Sequence, residues 1–382
     1  MKKKLLFING HLNTGGVEKS LIDLLQHLDY DQYDVDLLLL ETIGDYATEV
    51  PTQVKVNLRS LENTYGALGP CILRCIKHRD WFSLKMRLIF LAGKLWGVKC
   101  ISMAKKMLTS NQHYDCVIGY RPGICTQLAS FAVDADRRIT WWHHGSINVG
   151  QEYLDEVKNC QVIAVVSDAC RAMLAETFPS LTTKMVTIPN MIDPCVVAAK
   201  AEEFDPYPDK SIFHVISVGR LAEEKHFENA IYAARELQIK GFKFQWHLVG
   251  AGAEGCVLRK QAMDLGVSDC FVFEGNQSNP YPYMKHADLF VHSSYVESHG
   301  IVVLEALALG VPCVVTRSAG PCEFITDGIN GVLTAQSAES LTEKVLQVMQ
   351  NKELYNNIRE GACCPARFLP EKVCKQIGSI IV

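Results

Sequence analysis

The sequence predicts an α/β fold made of two doubly wound units, each a parallel sheet with helices on both faces. Three observations carry that prediction. The chain has 382 residues, enough for two domains at roughly 100–200 residues each. Short apolar runs alternate with amphipathic segments over nearly the whole length, the β-α-β rhythm of a parallel sheet covered on both sides. One polar stretch carrying two prolines, residues 199–211, interrupts the rhythm and reads as a linker.

Taken in order, Leu5–Asn9 reads as a buried strand. It leads through Asn13-Thr14-Gly15-Gly16 into a helix with Val17, Leu21, Leu24, Leu25 and Leu28 on one face. Strands follow at Val35–Leu40, Val54–Leu58, Cys116–Tyr120, Ile139–His143, Val162–Ser167 and Val186–Asn190. After the linker the rhythm restarts with Phe213–Val218, Phe244–Val249, Phe271–Phe273, Leu289–His292 and Cys313–Thr316, and Phe368–Val382 reads as a helix outside this second series. Two such units place a ligand most naturally in the cleft between them, at the carboxyl ends of their strands.

Composition narrows the function classes. Apolar residues make up 48% and charged residues 21%, as in soluble globular proteins. A net charge of −4 supplies no global basic field, so nucleic acid is not an expected partner. The fifteen cysteines are odd in number and contain no C-x-x-C pair, which points to reduced thiols and a cytosolic location rather than a disulfide frame or structural zinc. The start, Lys2-Lys3-Lys4-Leu5-Leu6-Phe7-Ile8-Asn9, has too short an apolar run for a signal peptide. No stretch of 18 apolar residues predicts a membrane span.

Residues 71–106 stand apart. Nine basic residues face one acid there, Asp80, for a local charge of +8, interleaved with Trp81, Phe82, Leu88, Ile89, Phe90, Leu91, Leu95 and Trp96. This is either a helix pair with a solvated basic face or a surface that rests on anionic lipid, placing the protein peripherally on the inner membrane face.

Two constellations compete for the chemistry. Gly250-Ala251-Gly252-Ala253-Glu254-Gly255 is a literal G-x-G-x-x-G between a strand and a helix, with Glu274 ending the next strand. It suggests an NAD(P)-dependent oxidoreductase, although it follows the second strand of its unit rather than the first. The rival set is spread wider. Arg220 and Lys225 lie in the loop ending the first strand after the linker, where they can put two cations on a diphosphate. Glu297 closes a later strand, Ser298–Gly300 offer backbone N–H groups at a helix start, and Glu305 sits on that apolar helix, where an acid needs a partner.

Gly219-Arg220-Leu221 with Glu224-Lys225, the E-x7-E of Glu297 and Glu305, and Glu305-Ala306-Leu307-Ala308-Leu309-Gly310-Val311-Pro312 resemble glycosyltransferase family 4. Gly15-Gly16, Ile188-Pro189-Asn190-Met191-Ile192-Asp193 and Asp327-Gly328-Ile329-Asn330-Gly331 fit the same family in order. The segment Asn279-Pro280-Tyr281-Pro282-Tyr283-Met284-Lys285 is similar to members that build bacterial capsular or other surface polysaccharides.

The resemblance implies a GT-B fold of two Rossmann-like domains: an acceptor domain over 1–198 completed by a returning helix at 366–382, a linker at 199–211, and a nucleotide-sugar domain over 212–365. It implies transfer of a hexosyl or N-acetylhexosaminyl group, with retention, from a UDP-linked donor to a lipid-linked or growing oligosaccharide. Arg220 and Lys225 would then bind the donor diphosphate, Glu297 the sugar hydroxyls and Glu305 the ribose. Asn276, Ser298, His299, Gly300 and Ile301 would line the donor, Gly16 would admit phosphate or acceptor to the backbone, and His143, with His144 as the alternative, would lie near the transferred sugar. Ser298-His299-Gly300 departs from the family's glycine-aromatic-glycine run, so His299 would touch the sugar and the identity of the donor would not follow from the family. No cofactor or metal is expected, since Arg220 and Lys225 take the place of a divalent ion and Asp34-Val35-Asp36 falls within a buried-strand pattern. A non-enzymatic nucleotide-sugar-binding subunit is the further alternative.

Overall fold

A computed structural model describes residues 2–110 and 112–381. Met1 and Val382, which bound the expected segments 1–198 and 366–382, lie outside the described residues, as does Asn111. The chain divides into two compact units: one runs to Pro189 and takes back the chain from Val373, and the other spans Asn190–Lys372.

The first unit holds seven parallel strands: β1 (Lys3–Asn9), β2 (Tyr33–Leu39), β3 (Lys55–Leu58), β4 (His113–Gly119), β5 (Asp134–Trp142), β6 (Val162–Val165) and β7 (Met185–Thr187). Their order is β3-β2-β1-β4-β5-β6-β7. Leu5 stands opposite Val35 on one side and Cys116 on the other, all three fully buried. The unbroken apolar run of β1 follows from this, because a central parallel strand is covered on both faces.

The second unit holds β8 (Phe213–Val218), β9 (Phe244–Val249), β10 (Phe271–Gly275), β11 (Leu289–His292), β12 (Cys313–Thr316) and β13 (Val332–Thr334), in the order β10-β9-β8-β11-β12-β13. Strand β13 is absent from the sequence reading. Its three residues are too few to register as an apolar run, and pairing with β12 (Val314 opposite Val332) defines it. In each sheet the order reverses once, between β1 and β4 and between β8 and β11. The loops diverge there, and that crevice at the carboxyl ends is where open α/β sheets bind ligands.

The unit boundaries differ from those expected. They fall at 189/190 and 372/373 rather than at 198 and 366, and residues 199–211 are not a free linker. Pro194–Ala201 is a helix whose start is capped by Asp193, with its carboxylate accepting from the N–H groups of Cys195 and Val196 at 2.9 and 3.3 Å. Val197, Ala201 and Tyr207 are buried in the core of the second unit with Ile216, Phe290 and Leu304. The Tyr207 ring lies nearly parallel to that of His214, 4.3 Å away. Proline interrupts regular structure but does not prevent an aromatic ring from packing. The helix Pro370–Ile381 buries Val373, Ile377, Ile380 and Ile381, an i, i+4, i+7, i+8 stripe, and its Cys374 thiol reaches the His27 carbonyl of the first unit at 3.4 Å.

Candidate active site

The loops that flank the β8–β11 crevice bring two opposite charges of the second unit together. After β8 the chain runs through Gly219-Arg220-Leu221 into a single 3-10 turn, Glu223–Lys225. After β11 come Ser293, Ser294 and Glu297, then the helix Ile301–Ala308. The Lys225 ammonium lies 2.6 Å from Glu297 Oε2, and the two side chains are only 20% and 14% exposed. His292 Nε2, at the end of β11, is 3.4 Å from the same oxygen. Ser293 Oγ donates to the Lys225 carbonyl at 2.7 Å, tying the two loops together.

This arrangement fixes the charge state of Glu297. Burial alone would push its pKa up, but the Lys225 ammonium and then His292 outweigh burial and hold the carboxyl well below the usual carboxylate range. At neutral pH it is an anion that only accepts hydrogen bonds. Burial holds His292 below its ordinary value despite Glu297, so its imidazole is neutral. Lys225 offers three donors, and the bond to Glu297 uses one of them.

Gly300 takes φ +86°, and a Cβ there would lie 2.8 Å from Pro321 Cγ. Glycine therefore lets the chain turn sharply from Glu297 into the helix Ile301–Ala308, whose first N–H groups have no partner within the helix. Ser298 and Ile301 flank the turn, half-buried. Glu305, one turn in, is buried and accepts from the Tyr281 hydroxyl at 2.7 Å. The partner that Glu305 requires thus includes a tyrosine, from the Asn279–Lys285 segment.

His299 is enclosed by aromatic rings. Its ring is buried against Phe324 and Phe368, at centroid distances of 6.1 and 5.2 Å, and neither nitrogen has a hydrogen-bond partner. Burial pushes its pKa down to about 3, with Arg367 adding to the effect against Glu297. In the unfolded chain histidine titrates near 6.5. Between those values the unfolded state binds a proton that the folded state refuses, so stability falls as pH drops below 6.5, by about 1.4 kcal/mol per unit. Urea unfolding at pH 7.5 and pH 5 should show wild type losing about 2 kcal/mol more than His299→Phe; equal losses would mean that the imidazole is protonated in the fold.

The remaining expected donor residues are more dispersed. Arg220 shares the β8 loop with Lys225, but it is 72% exposed and paired with Glu224 at 2.7 Å. Asn276 is exposed on the loop after β10. In the first unit, Gly16 opens the helix Gly16–His27 beside β1. His143, just past β5, is buried, with its ring nearly parallel to Trp141 and 4.8 Å from Tyr120. Burial, and then Arg121, hold His144 below its ordinary pKa, and its carbonyl accepts from the Trp142 indole at 2.8 Å.

Sequence reasoning missed three contributors. His292 and the buried Ser294, whose Oγ has no partner, carry the signal of polar residues that close an otherwise apolar strand and follow it. The third, in the first unit by itself, is the pairing of buried Glu18 with Arg121, 32% exposed, at the β1–β4 crevice. An acid inside the first turn of an otherwise apolar helix face is its signal.

The glycine-rich turn is not a cofactor cradle. A Cβ on Gly250 would lie 1.9 Å from the Gly219 carbonyl oxygen, and one on Gly252 would lie 2.2 Å from that of Leu221. The turn is hydrogen-bonded to the same loop, from Leu221 N–H to the Ala251 carbonyl (2.9 Å) and from Glu254 N–H to the Leu221 carbonyl (3.0 Å). The space a pyrophosphate needs is filled by the chain's own backbone, and the glycines serve that close approach. Glu274 is 2.7 Å from His247 Nδ1. Asp36 of the D-x-D accepts from the Tyr114 hydroxyl at 2.7 Å within the first unit. Among the described residues, no group of three His, Cys, Asp or Glu side chains gathers as a metal site.

Residues 200–363 match the family model of glycosyl transferases group 1. The match coincides with the unit that holds Arg220, Lys225, Glu297 and Glu305. Curated relatives carry related names. The lipopolysaccharide core biosynthesis glycosyltransferase LpsE of Rhizobium meliloti is 37% identical over 43% of this chain and 47% of its own length. N-acetyl-alpha-D-glucosaminyl L-malate synthase of Bacillus anthracis is 34% identical over 35% of this chain and 36% of its own. The chain thus spans less than half the length of these two relatives. An uncharacterized glycosyltransferase of Haemophilus influenzae is 24% identical over 93% of this chain and 92% of its own.

Among solved structures, HepE of Anabaena in complex with UDP and glucose superposes with a TM-score of 0.72 at 18% identity, covering 99% of this chain and 98% of that one. A point mutant of TarM from S. aureus, in complex with fondaparinux, alpha-GlcNAc-glycerol and UDP, gives 0.74 at 13%, covering 99% of each. These likenesses establish the fold, the pair of Rossmann-like units called GT-B. They do not favour the dinucleotide reading of the glycine turn.

Proposed function

We propose that this protein is a retaining glycosyltransferase of family 4 type. It moves a hexosyl or N-acetylhexosaminyl group from a UDP-linked sugar to a lipid-linked or growing surface glycan, on the cytoplasmic side of the membrane and without a metal ion. The observation that carries the reading is the Lys225–Glu297 ion pair at the β8–β11 switch point, directly before the helix that begins at Ile301. A mostly buried carboxylate, ionised at neutral pH, beside a cation with two donors to spare suits a ligand that offers hydroxyls on one side and phosphate on the other.

In this mechanism Lys225 stabilises the negative charge that develops on the departing diphosphate, a task for donors held in place before the reaction. Arg220, exposed and paired with its neighbour Glu224, can turn its fork onto the same diphosphate. The amides at the start of the Ile301 helix add to this anion site. Glu297 accepts hydrogen bonds from the donor sugar hydroxyls and Glu305 from the ribose. His143 is the residue assigned to the transferred sugar. The names of the relatives, in lipopolysaccharide core synthesis and in N-acetylglucosaminyl chemistry, and the UDP held in the HepE and TarM complexes support this assignment of donor and acceptor.

A thermal-shift panel of UDP, GDP, ADP and NAD tests it. A ligand at about 100 times its dissociation constant adds roughly 2.7 kcal/mol, which raises the melting temperature by several degrees. UDP is expected to stabilise and NAD to leave the melt unchanged. Stabilisation by NAD alone would return the glycine turn to candidacy and remove the transferase reading.

A further inference from the structure

The basic segment of the first unit is folded in a way that its charge alone does not reveal. Its central helix, Trp81–Trp96, is capped by Asp80, whose carboxylate accepts from the Ser83 N–H at 2.9 Å. One stripe of the helix, with Ser83, Met86, Ile89 and Gly93, is buried, and Met86 and Ile89 join the sheet residues Leu6 and Leu38 in the core. The opposite stripe carries Trp81, Lys85, Leu88 and Leu95 at i, i+4, i+7 and i+14, all exposed.

A surface helix normally turns charged and polar residues outward. This one is apolar on both sides, with a single lysine on its outward stripe. Trp81 is 58% exposed and Trp96, at the helix end, 78%. Leu73 and Ile76, on the preceding helix Leu68–Lys77, are exposed as well.

The cations bracket this stripe rather than cover it. Lys77 and Arg79 precede the helix, and Lys94 and Lys99 lie at its far end, all exposed. Other basic residues of the segment are engaged in the fold. Arg87 donates to the Gly66 carbonyl at 2.9 Å, Arg74 to the Asn63 carbonyl at 3.1 Å, and Lys105 pairs with Asp134 at 2.9 Å.

We infer that the outward face of Trp81–Trp96 is a docking surface for a membrane leaflet bearing anionic headgroups. Trp81, Leu88, Leu95 and Trp96 enter the interface, and Lys77, Arg79, Lys94 and Lys99 meet the headgroups at both ends. Charge complementarity selects this occupant: an apolar stripe with tryptophans at its ends and cations flanking it matches an interface whose polar layer is negative. Lys85, exposed within the stripe, can lay its alkyl stem along the apolar surface and carry its ammonium outward. No helix among the described residues is long and apolar enough to cross a membrane, and the inner stripe is held in the core, so the helix lies in the plane of the surface. The inference concerns a face distant in sequence from the donor loops and stands or falls separately from the transferase reading.

Co-sedimentation with vesicles tests it, using phosphatidylcholine alone and phosphatidylcholine with about 30% phosphatidylglycerol. Wild type is expected to bind the anionic vesicles at least about tenfold more tightly than the neutral ones, with the advantage shrinking as salt screens the charges. Leu88→Glu/Leu95→Glu and, separately, Lys94→Glu/Lys99→Glu should each lower binding about tenfold or more. Both remain exposed substitutions, and unchanged thermal melts and UDP stabilisation confirm that the fold is intact. Wild type that stays in the supernatant, or variants that sediment like wild type, would overturn the inference. So would a wild-type dimer in sedimentation velocity that Leu88→Glu/Leu95→Glu dissociates without any vesicle binding, since the stripe would then belong to a second copy of the chain.

Discussion

Replacing Lys225 by methionine is expected to lower kcat by about 10²–10³-fold, the usual effect of removing one preorganised group from a developing negative charge. The same substitution should cost stability. Glu297 would keep its carboxylate in a site where only 14% of the side chain is exposed, now without the ammonium 2.6 Å away. Leaving one member of a buried pair alone typically costs about 3–5 kcal/mol, and the residual exposure here argues for the lower figure.

The second change that separates the two effects is Glu297→Gln in the Lys225→Met background. Removing the stranded charge should restore most of the stability, because a neutral amide needs no counterion. It should not restore turnover, because the group facing the leaving diphosphate is still missing. Urea unfolding and steady-state kinetics with a UDP-sugar provide the two readouts. A Lys225→Met enzyme with wild-type kcat would remove Lys225 from the reaction. A pair of variants equal in stability would mean that Glu297 is protonated. The sign follows from its depressed pKa: the contribution of the pair is present through neutral pH, above the unfolded carboxylate value, and is lost as acid protonates the folded carboxylate.

Gly252→Ala is expected to destabilise the protein by about 3 kcal/mol, at the upper end for an inserted methyl. The obstacle is backbone, since the new Cβ would sit 2.2 Å from the Leu221 carbonyl oxygen, and no side chain can rotate away to relieve it. For a unit of this size that is a fall of roughly 6–12 °C in melting temperature. Because Leu221 adjoins Arg220, the displacement should also weaken UDP stabilisation, whereas NAD should have no effect on either protein. A wild-type melt for Gly252→Ala would show that the two loops do not meet, and NAD binding lost with the methyl would restore the dinucleotide reading.

The glycine turn shows where local sequence reasoning reaches its limit. G-x-G-x-x-G between a strand and a helix is compatible with a phosphate lying against the backbone and equally with another loop lying there, because both need the same absence of Cβ. The occupant here is the Gly219–Leu221 loop, about thirty positions earlier in the chain, and no spacing within the motif encodes it. Residues 199–211 teach a similar lesson. Their polarity and prolines mark irregular, exposed backbone correctly, but Ala201 and Tyr207 anchor the segment in the second unit's core. The basic segment was legible as charge and as helices, yet which residues face outward depends on the stripe that the sheet occupies.

His299 and Glu305 make the same point from within the site. Both lie in a motif readable from the sequence, one as a departure from a family pattern and the other as an acid on an apolar helix. Their surroundings, Phe324 with Phe368 in one case and Tyr281 in the other, come from three separate segments of the chain.

By itself the sequence determined the α/β class, the positions of twelve strands among the thirteen described, the two-unit plan and the residue types in the loops after β8 and β11. All of these follow from local periodicity, from strand-to-helix punctuation and from motifs a few residues long. The tertiary structure alone decided the strand order, and with it the switch point between β8 and β11. It decided the pairing of Lys225 with Glu297 across 72 positions, the filling of the glycine turn, and the outward apolar stripe of Trp81–Trp96. The physical reason is common to all four. Periodicity states that a face must be buried, whereas the partner that buries it is chosen by packing among segments far apart in the chain.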